Sequence, residues 1–173
     1  GLADRRTHVV VRDPRDPSRI LAGTTGGLFE SRDAGGTFRR LSRETTVVNG
    51  ILFDPASPGA LLVATESEGI LRSEDGGTTL TESNAGLSEA RVSAVAVTAS
   101  GAVVVARAAD GGSGGLWSLD PVSGRADRLP SPPTTTVRAL LASGERLLAG
   151  TPDGLWLAPS PGKPFARILA FPV

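Results

Sequence analysis

The sequence predicts an all-β fold: a β-propeller of four-stranded antiparallel blades, with four blades in this chain. Three observations carry that prediction. The stretch Leu21-Ala-Gly-Thr-Thr-Gly-Gly-Leu-Phe-Glu-Ser-Arg-Asp-Ala-Gly-Gly-Thr-Phe38 returns at a nearly fixed interval, and sequence recurrence at 20–50 residues is the mark of solenoids and propellers. Within each copy the apolar residues come in runs of four to seven, β-branched or leucine-rich, separated by Gly, Pro, Asp and Ser. No stretch keeps a helical period over ten residues without Gly or Pro, so helix is expected to be minor.

Two register marks define the copies. An alanine closes a short apolar run at Ala22, Ala64, Ala106 and Ala149, at intervals of 42, 42 and 43. A glycine followed by two apolar residues stands at Gly27-Leu28-Phe29, Gly69-Ile70-Leu71, Gly115-Leu116-Trp117 and Gly154-Leu155-Trp156. Its spacing of 42, 46 and 39 places a four-residue insertion in Asp110-Gly-Gly-Ser-Gly114. The expected blades are about 8–42, 47–83, 92–130 and 137–169, within one unit of 1–173.

First strands are expected at Val9–Arg12, Val48–Phe53, Val92–Thr98 and Val137–Leu141. The turns after the first two, Asp13-Pro-Arg-Asp-Pro17 and Asp54-Pro-Ala-Ser-Pro58, contain prolines that fix φ and lack a ladder donor, so no strand runs through them. Shorter turns around Ser100-Gly101 and Ser143-Gly144 serve the other two. Second strands are expected to end at the marker alanines, third strands to carry the glycine-apolar pairs. Short fourth strands follow at Phe38–Leu41, Thr79–Glu82, Arg125–Leu129 and Phe165–Leu169. Four short strands in about 42 residues fit a propeller blade, whereas a sandwich would lack the recurrence.

Composition narrows the function. Eighteen basic and eighteen acidic side chains cancel, leaving no net field toward phosphate backbones or anionic lipid, so neither nucleic acid nor membrane is an expected partner. Aromatic residues are 4% of the chain, too few for stacking platforms. With no cysteine there is no disulfide, thiolate nucleophile or Cys-ligated zinc. No apolar run approaches the ~20 residues of a membrane-spanning helix, and the Gly1 start with no Met anywhere suggests a processed or recombinant segment.

The third-strand glycine pairs lead into S-x-D-x-G-x-T-[apolar] twice: Ser31, Asp33, Gly35, Thr37, Phe38, then Ser73, Asp75, Gly77, Thr79, Leu80. Two further copies are decayed, one at Ser118-Leu119-Asp120 before Pro121, the other at Ala158, Ser160, Gly162, Pro164 and Phe165. The pattern resembles the Asp-box, or bacterial neuraminidase repeat, and covers essentially the whole chain. In style it is closest to photosystem II assembly-factor-like and xyloglucan-active glycoside hydrolase propellers. The resemblance implies a hairpin between third and fourth strands, with the box residues as structural staples, six or more blades in a complete ring, and a secreted or periplasmic setting. Leu80 departs from the usual aromatic.

The same resemblance tests for catalysis. Sialidase-like chemistry implies a tyrosine nucleophile, and the chain has no Tyr. In the xyloglucan-active hydrolases the first acid lies two residues before the glycine pair, where this chain has Thr24. Nothing singles out the two facing carboxylates a glycosidase needs. No catalytic residue, cofactor or metal ligand is therefore assigned. Asp13, Asp16 and Asp54 are expected to cap their own turns, and Glu66 and Glu68 to form a solvated rim. His8 is expected as a packed or surface strand residue, Trp117 and Trp156 as blade packing, and Arg39, Arg40 and Arg43 as a solvated edge.

The resulting expectation is a non-catalytic scaffold or interaction module for a protein or assembly partner, with a fragment of a carbohydrate-active hydrolase as the alternative. A sequence built to study repeat assembly is a third reading. Four blades leave no spare strand for closure. The chain is thus expected to be part of a longer propeller, half of an eight-bladed homodimer, or a closed ring of four.

Overall fold

The computed structural model describes residues 6–41, 46–54, 57, 59–83, 91–108, 114–120, 122–133 and 136–170. They form four antiparallel sheets, each a meander of four consecutive strands, arranged as propeller blades; there is no helix among the described residues. Blade one holds β1 (Thr7–Arg12), β2 (Ile20–Thr24), β3 (Gly27–Ser31) and β4 (Arg39–Arg40); blade two holds β5 (Val48–Phe53), β6 (Leu61–Thr65), β7 (Ile70–Ser73) and β8 (Thr81–Glu82). Blade three holds β9 (Val92–Val97), β10 (Val103–Arg107), β11 (Gly115–Leu119) and β12 (Ala126–Leu129). Blade four holds β13 (Ala139–Ser143), β14 (Arg146–Thr151), β15 (Gly154–Ala158) and β16 (Ala166–Ala170). Three expected features, the Gly1 terminus, Arg43 and most of the Asp110–Gly114 insertion, lie outside the described residues.

The second strands run past the marker alanines, and those alanines are not equivalent. Ala64 and Ala106 pair with the first apolar residue after the strand-opening glycine, Ile70 and Leu116. Ala22 and Ala149 pair with the second, Phe29 and Trp156, and it is Gly23 and Gly150 that face Leu28 and Leu155. Loop length is the reason. Blade two spends three residues, Glu66-Ser67-Glu68, on a hairpin that blades one and four turn in two, so equal spacing in sequence becomes a one-residue shift in the ladder.

Because side chains alternate across a strand, that register sorts each sheet into two faces. Leu21 and Leu28 of blade one meet Ile51, Leu61, Val63 and Leu71 of blade two. Leu62, Ala64 and Ile70 meet Val103, Val105, Trp117 and Leu119 of blade three. Val104, Ala106 and Leu116 meet Leu147, Ala149, Trp156 and Ala158 of blade four. The core is therefore three successive inter-blade layers. Aromatic residues on the third strands carry an arginine from the fourth strand directly opposite: Phe29 with Arg40, Trp117 with Arg128, Trp156 with Arg167, each guanidinium 5.5–5.7 Å from the ring centre. In blade two the pair is Leu71 with Glu82, so ring and cation are absent together.

The innermost strands stand side by side, β1 against β5, β5 against β9 and β9 against β13, but β13 makes no comparable contact with β1. Blade four accordingly keeps an uncovered face. Ala139, Leu141, Leu148, Gly150 and Leu155 line a shallow apolar groove of about 270 Å³, with Leu141 61% and Leu169 51% exposed. At the other end of the arc Val10, on the face of Ala22, is 59% exposed.

Equivalent glycines in these two environments should respond oppositely to a methyl group. A Cβ on Gly23 would lie 2.5 Å from Val48 Cγ1 and 2.7 Å from Val9 Cγ1, forcing apart the junction of blades one and two. Gly23→Ala is expected to cost ~1–3 kcal/mol. On Gly150 the nearest atom is Ala139 Cβ at 3.5 Å, so Gly150→Ala should be neutral or stabilising by up to ~1 kcal/mol. Urea unfolding midpoints of the two variants check both expectations.

Candidate functional site

The eight motif residues are brought together as two similar turns. In the first, Ser31 Oγ donates to Asp33 Oδ1 at 2.6 Å and accepts the Gly35 backbone N–H at 2.9 Å. Asp33 in turn accepts the Thr37 backbone N–H at 2.9 Å and the Thr37 hydroxyl at 2.6 Å. The second repeats the pattern: Ser73 Oγ to Asp75 Oδ1 at 2.8 Å, Gly77 N–H to Ser73 Oγ at 2.7 Å, Thr79 N–H and hydroxyl to Asp75 at 2.9 and 2.7 Å. Each carboxylate is filled by donors from its own turn. Asp33 is held well below the usual carboxylate range, chiefly by the Ser31 and Thr37 hydroxyls. Asp75 is lowered to about 2 by the Thr79 backbone N–H and hydroxyl and by Ser73.

One difference between the turns has a cause outside them. Ala34 and Gly76 occupy the same place with φ of 56° and 75°, a conformation that favours glycine. A Cβ on Gly76 would sit 3.0 Å from Arg19 Nη2, which reaches across from blade one and donates to the Gly76 carbonyl at 2.5 Å. Arg19 is buried and also bonds Glu30 at 2.8 Å and Asp13 at 3.1 Å, with its guanidinium 5.6 Å from the Phe53 ring centre. Arg32 and Arg39 complete the shell of the buried Glu30. Burial pushes the Glu30 carboxyl up, but the hydrogen bonds and charges of Arg19 and Arg32 outweigh it and hold the group below its ordinary value. Sequence reading missed this network; an isolated Glu inside the apolar strand Leu28-Phe29-Glu30 is the signal that could have found it.

Other predicted residues fall variously. Asp13 accepts the Arg15 N–H and Asp16 the Ser18 N–H, as turn caps, and Asp13 additionally holds Arg19. Asp120 caps its own turn through Val122 and Ser123. The arginines read as a solvated edge are exposed and also have partners: Arg39 pairs with buried Glu30 and Arg40 covers Phe29. Glu66, expected on a solvated rim, pairs with Arg91 at 2.5 Å and accepts Asn49 Nδ2 at 2.9 Å. Buried Thr24 locks its hairpin, donating to the Gly27 carbonyl at 3.0 Å while accepting the Gly26 N–H. Thr65 and Thr151 donate likewise to Gly69 and Gly154, a repeated staple the motif search overlooked.

A second constellation lies where the innermost strands converge. Each of β1, β5 and β9 has a bulge near its start, whose extra residues are His8, Asn49 and Ser93. Arg138, whose N–H donates to the Gly150 carbonyl just before β13, takes the same place in blade four. Bulges re-aim side chains, and all four residues line one cavity of about 320 Å³ with Val9, Ile51, Val95 and Leu140. Among the described residues no group of three or more His, Asp or Glu side chains gathers to hold a metal ion.

No family model matches the sequence, and no curated protein matches it. Solved structures do. A GH74 xyloglucanase from Xanthomonas campestris is 22% identical, with 93% of this chain and 29% of that chain covered and a TM-score of 0.72. The extracellular domain of a hybrid two component system from B. thetaiotaomicron is 17% identical over 100% of this chain and 22% of that chain, TM-score 0.72. YCF48 bound to D1 peptide is 16% identical over 87% of this chain and 50% of that chain, TM-score 0.59. The chain thus spans less than a third of the hydrolase and the extracellular domain, and the likeness is one of fold: this is a β-propeller.

Two measurements follow from the turns and the Arg19 network. An unfolded aspartate titrates near ~3.9, so Asp75 stabilises the folded chain fully above about pH 4 and loses that contribution as pH falls toward about 2. Asp75→Asn should lower the unfolding midpoint at neutral pH, with the gap to the parent closing between about pH 5 and about pH 2. Arg19→Ala, which strips Glu30 of its buried partner and frees the Gly76 carbonyl, should cost about 3 kcal/mol in denaturant unfolding, and Arg19→Lys somewhat less.

Proposed function

We propose that this chain is a non-catalytic interaction module, an arc of blades that takes a further blade against its fourth sheet and a protein or assembly partner at its channel. The observation that carries the reading is the apolar groove of blade four. Leu148, Gly150 and Leu155 occupy the positions at which Leu62, Ala64 and Ile70 of blade two pack on the next blade. An apolar patch of this kind marks an interaction surface. Its natural complement is the face carrying Val10 and Ala22 on blade one, which a second copy of the chain supplies. In a longer polypeptide the next blade in sequence would take that place.

Further support is structural precedent: one solved propeller of this type is bound to a peptide. On this reading the Ser31–Thr37 and Ser73–Thr79 turns are Asp-boxes acting as staples, since their carboxylates are filled by internal donors. The rival reading, a piece of a carbohydrate-active hydrolase, has the fold likeness to a xyloglucanase behind it. Against it, Thr24, where the motif's acid would stand, has its hydroxyl committed to the hairpin.

Light scattering on the 173-residue chain tests the docking reading. A mass about twice that of the 17.7 kDa chain is expected, reverting to the monomer on Leu141→Lys. A parent that stays monomeric at high concentration, with a mass unchanged by the substitution, defeats it. Turnover of soluble xyloglucan would favour the hydrolase instead.

A further inference from the structure

We infer that the channel holds a carboxylate-binding site centred on Arg138, the one bulge-position residue whose donors are uncommitted, with the carboxylate borne on a peptide. The peptide partner rests on the interaction-module reading; the site itself lies within one chain, and it shares Ala139 and Leu140 with the groove of blade four.

The hydrogen bonds already made decide what remains available. Asn49 Nδ2 donates to Glu66 Oε2 at 2.9 Å and to the Val92 carbonyl at 3.0 Å, so both amide protons are committed. Its Oδ1 lies 3.0 Å from His8 Nδ1, which makes Nδ1 the protonated nitrogen and leaves Nε2 without a partner among the described residues. Ser93 Oγ donates to the Val137 carbonyl at 2.7 Å and is left with acceptor capacity only. The Glu66 carboxylate, held by Arg91 and Asn49, is neutralised in place. Arg138 is different. Its side chain is exposed, lines the cavity and has no hydrogen-bond or ion-pair partner among the described residues.

Among the described residues the channel therefore offers one uncompensated planar fork of donors between apolar walls, Val9 and Ile51 on one side and Val95 and Leu140 on the other. A guanidinium fork matches the two oxygens of a carboxylate. A phosphate dianion would need further donors, and those of Asn49 and Ser93 are already used. The walls suit an aliphatic residue next to the carboxylate. The cavity of about 320 Å³ is at the small end of ligand sites and admits the end of a chain or one side chain.

Amide chemical shifts of the 173-residue chain, titrated with defined probes, test this. Acetyl-Gly-Val-Leu with a free C-terminal carboxylate and acetyl-Gly-Glu-Leu-amide distinguish a terminal from a side-chain source; acetyl-Gly-Val-Leu-amide is the uncharged control. One or both carboxylate probes should move Gly50, Ser93, Ala94 and Ala139, and the control should not. Arg138→Gln should weaken binding at least about tenfold, the loss of a charge-assisted bond, while Arg125→Gln, on the outer strand side and paired with Asp127, should leave it unchanged. Absence of shifts from both carboxylate probes, shifts that survive Arg138→Gln in a folded variant, or equal binding of inorganic phosphate overturns the inference. Any of these leaves the light-scattering result on blade four standing by itself.

Discussion

A four-stranded sheet with apolar residues on both faces must have a neighbour on each side, and everything in this structure answers to that demand. Within the arc it is met three times by aliphatic side chains of one blade against those of the next, joined by Trp117 and Trp156 at the second and third junctions. Where a blade follows, space is so tight that Gly23 has no room for a methyl group. Where none follows, the equivalent Gly150 has ample room. One repeated unit therefore presents two kinds of surface, decided only by its place in the row.

Polar side chains reinforce the rows from the ends and rims. The Ser-Asp-Gly-Thr turns use one carboxylate and the serine hydroxyl to satisfy backbone N–H groups that the hairpin leaves outside the ladder, while the threonine hydroxyl donates to the carboxylate. Arg19 ties the second of these turns to blade one, so a local turn becomes part of an inter-blade contact. The cross-strand arginines do something similar at the outer edge, shielding aromatic rings that would otherwise meet water.

Much of the architecture was legible because strand, turn and repeat signals agree. Val48–Phe53 is a strand with the bounds that its β-branched run suggests, and the prolines after Asp13 end a strand as proline must. Register was less legible. The marker alanines look equivalent, yet a hairpin longer by one residue in blade two shifts them onto different faces. The motif turns could be read from their spacing, because their hydrogen bonds are local. Long-range features could not: Arg19 meets Glu30 and Gly76 through the fold, and the bulge residues converge only when four blades stand side by side. A lone polar residue after Val48, Val92 and Val137 is the faint trace those bulges leave in sequence.

The uncovered face of blade four and its complement on blade one lie at opposite ends of the arc, so they cannot meet as like with like. A contact between copies through these faces would be heterologous, tail of one to head of the next, without a two-fold axis through that contact. Such joints have two fates set by the angle each chain subtends. Half a turn per chain closes a finite ring after two copies, and any angle that misses closure propagates a helical filament instead.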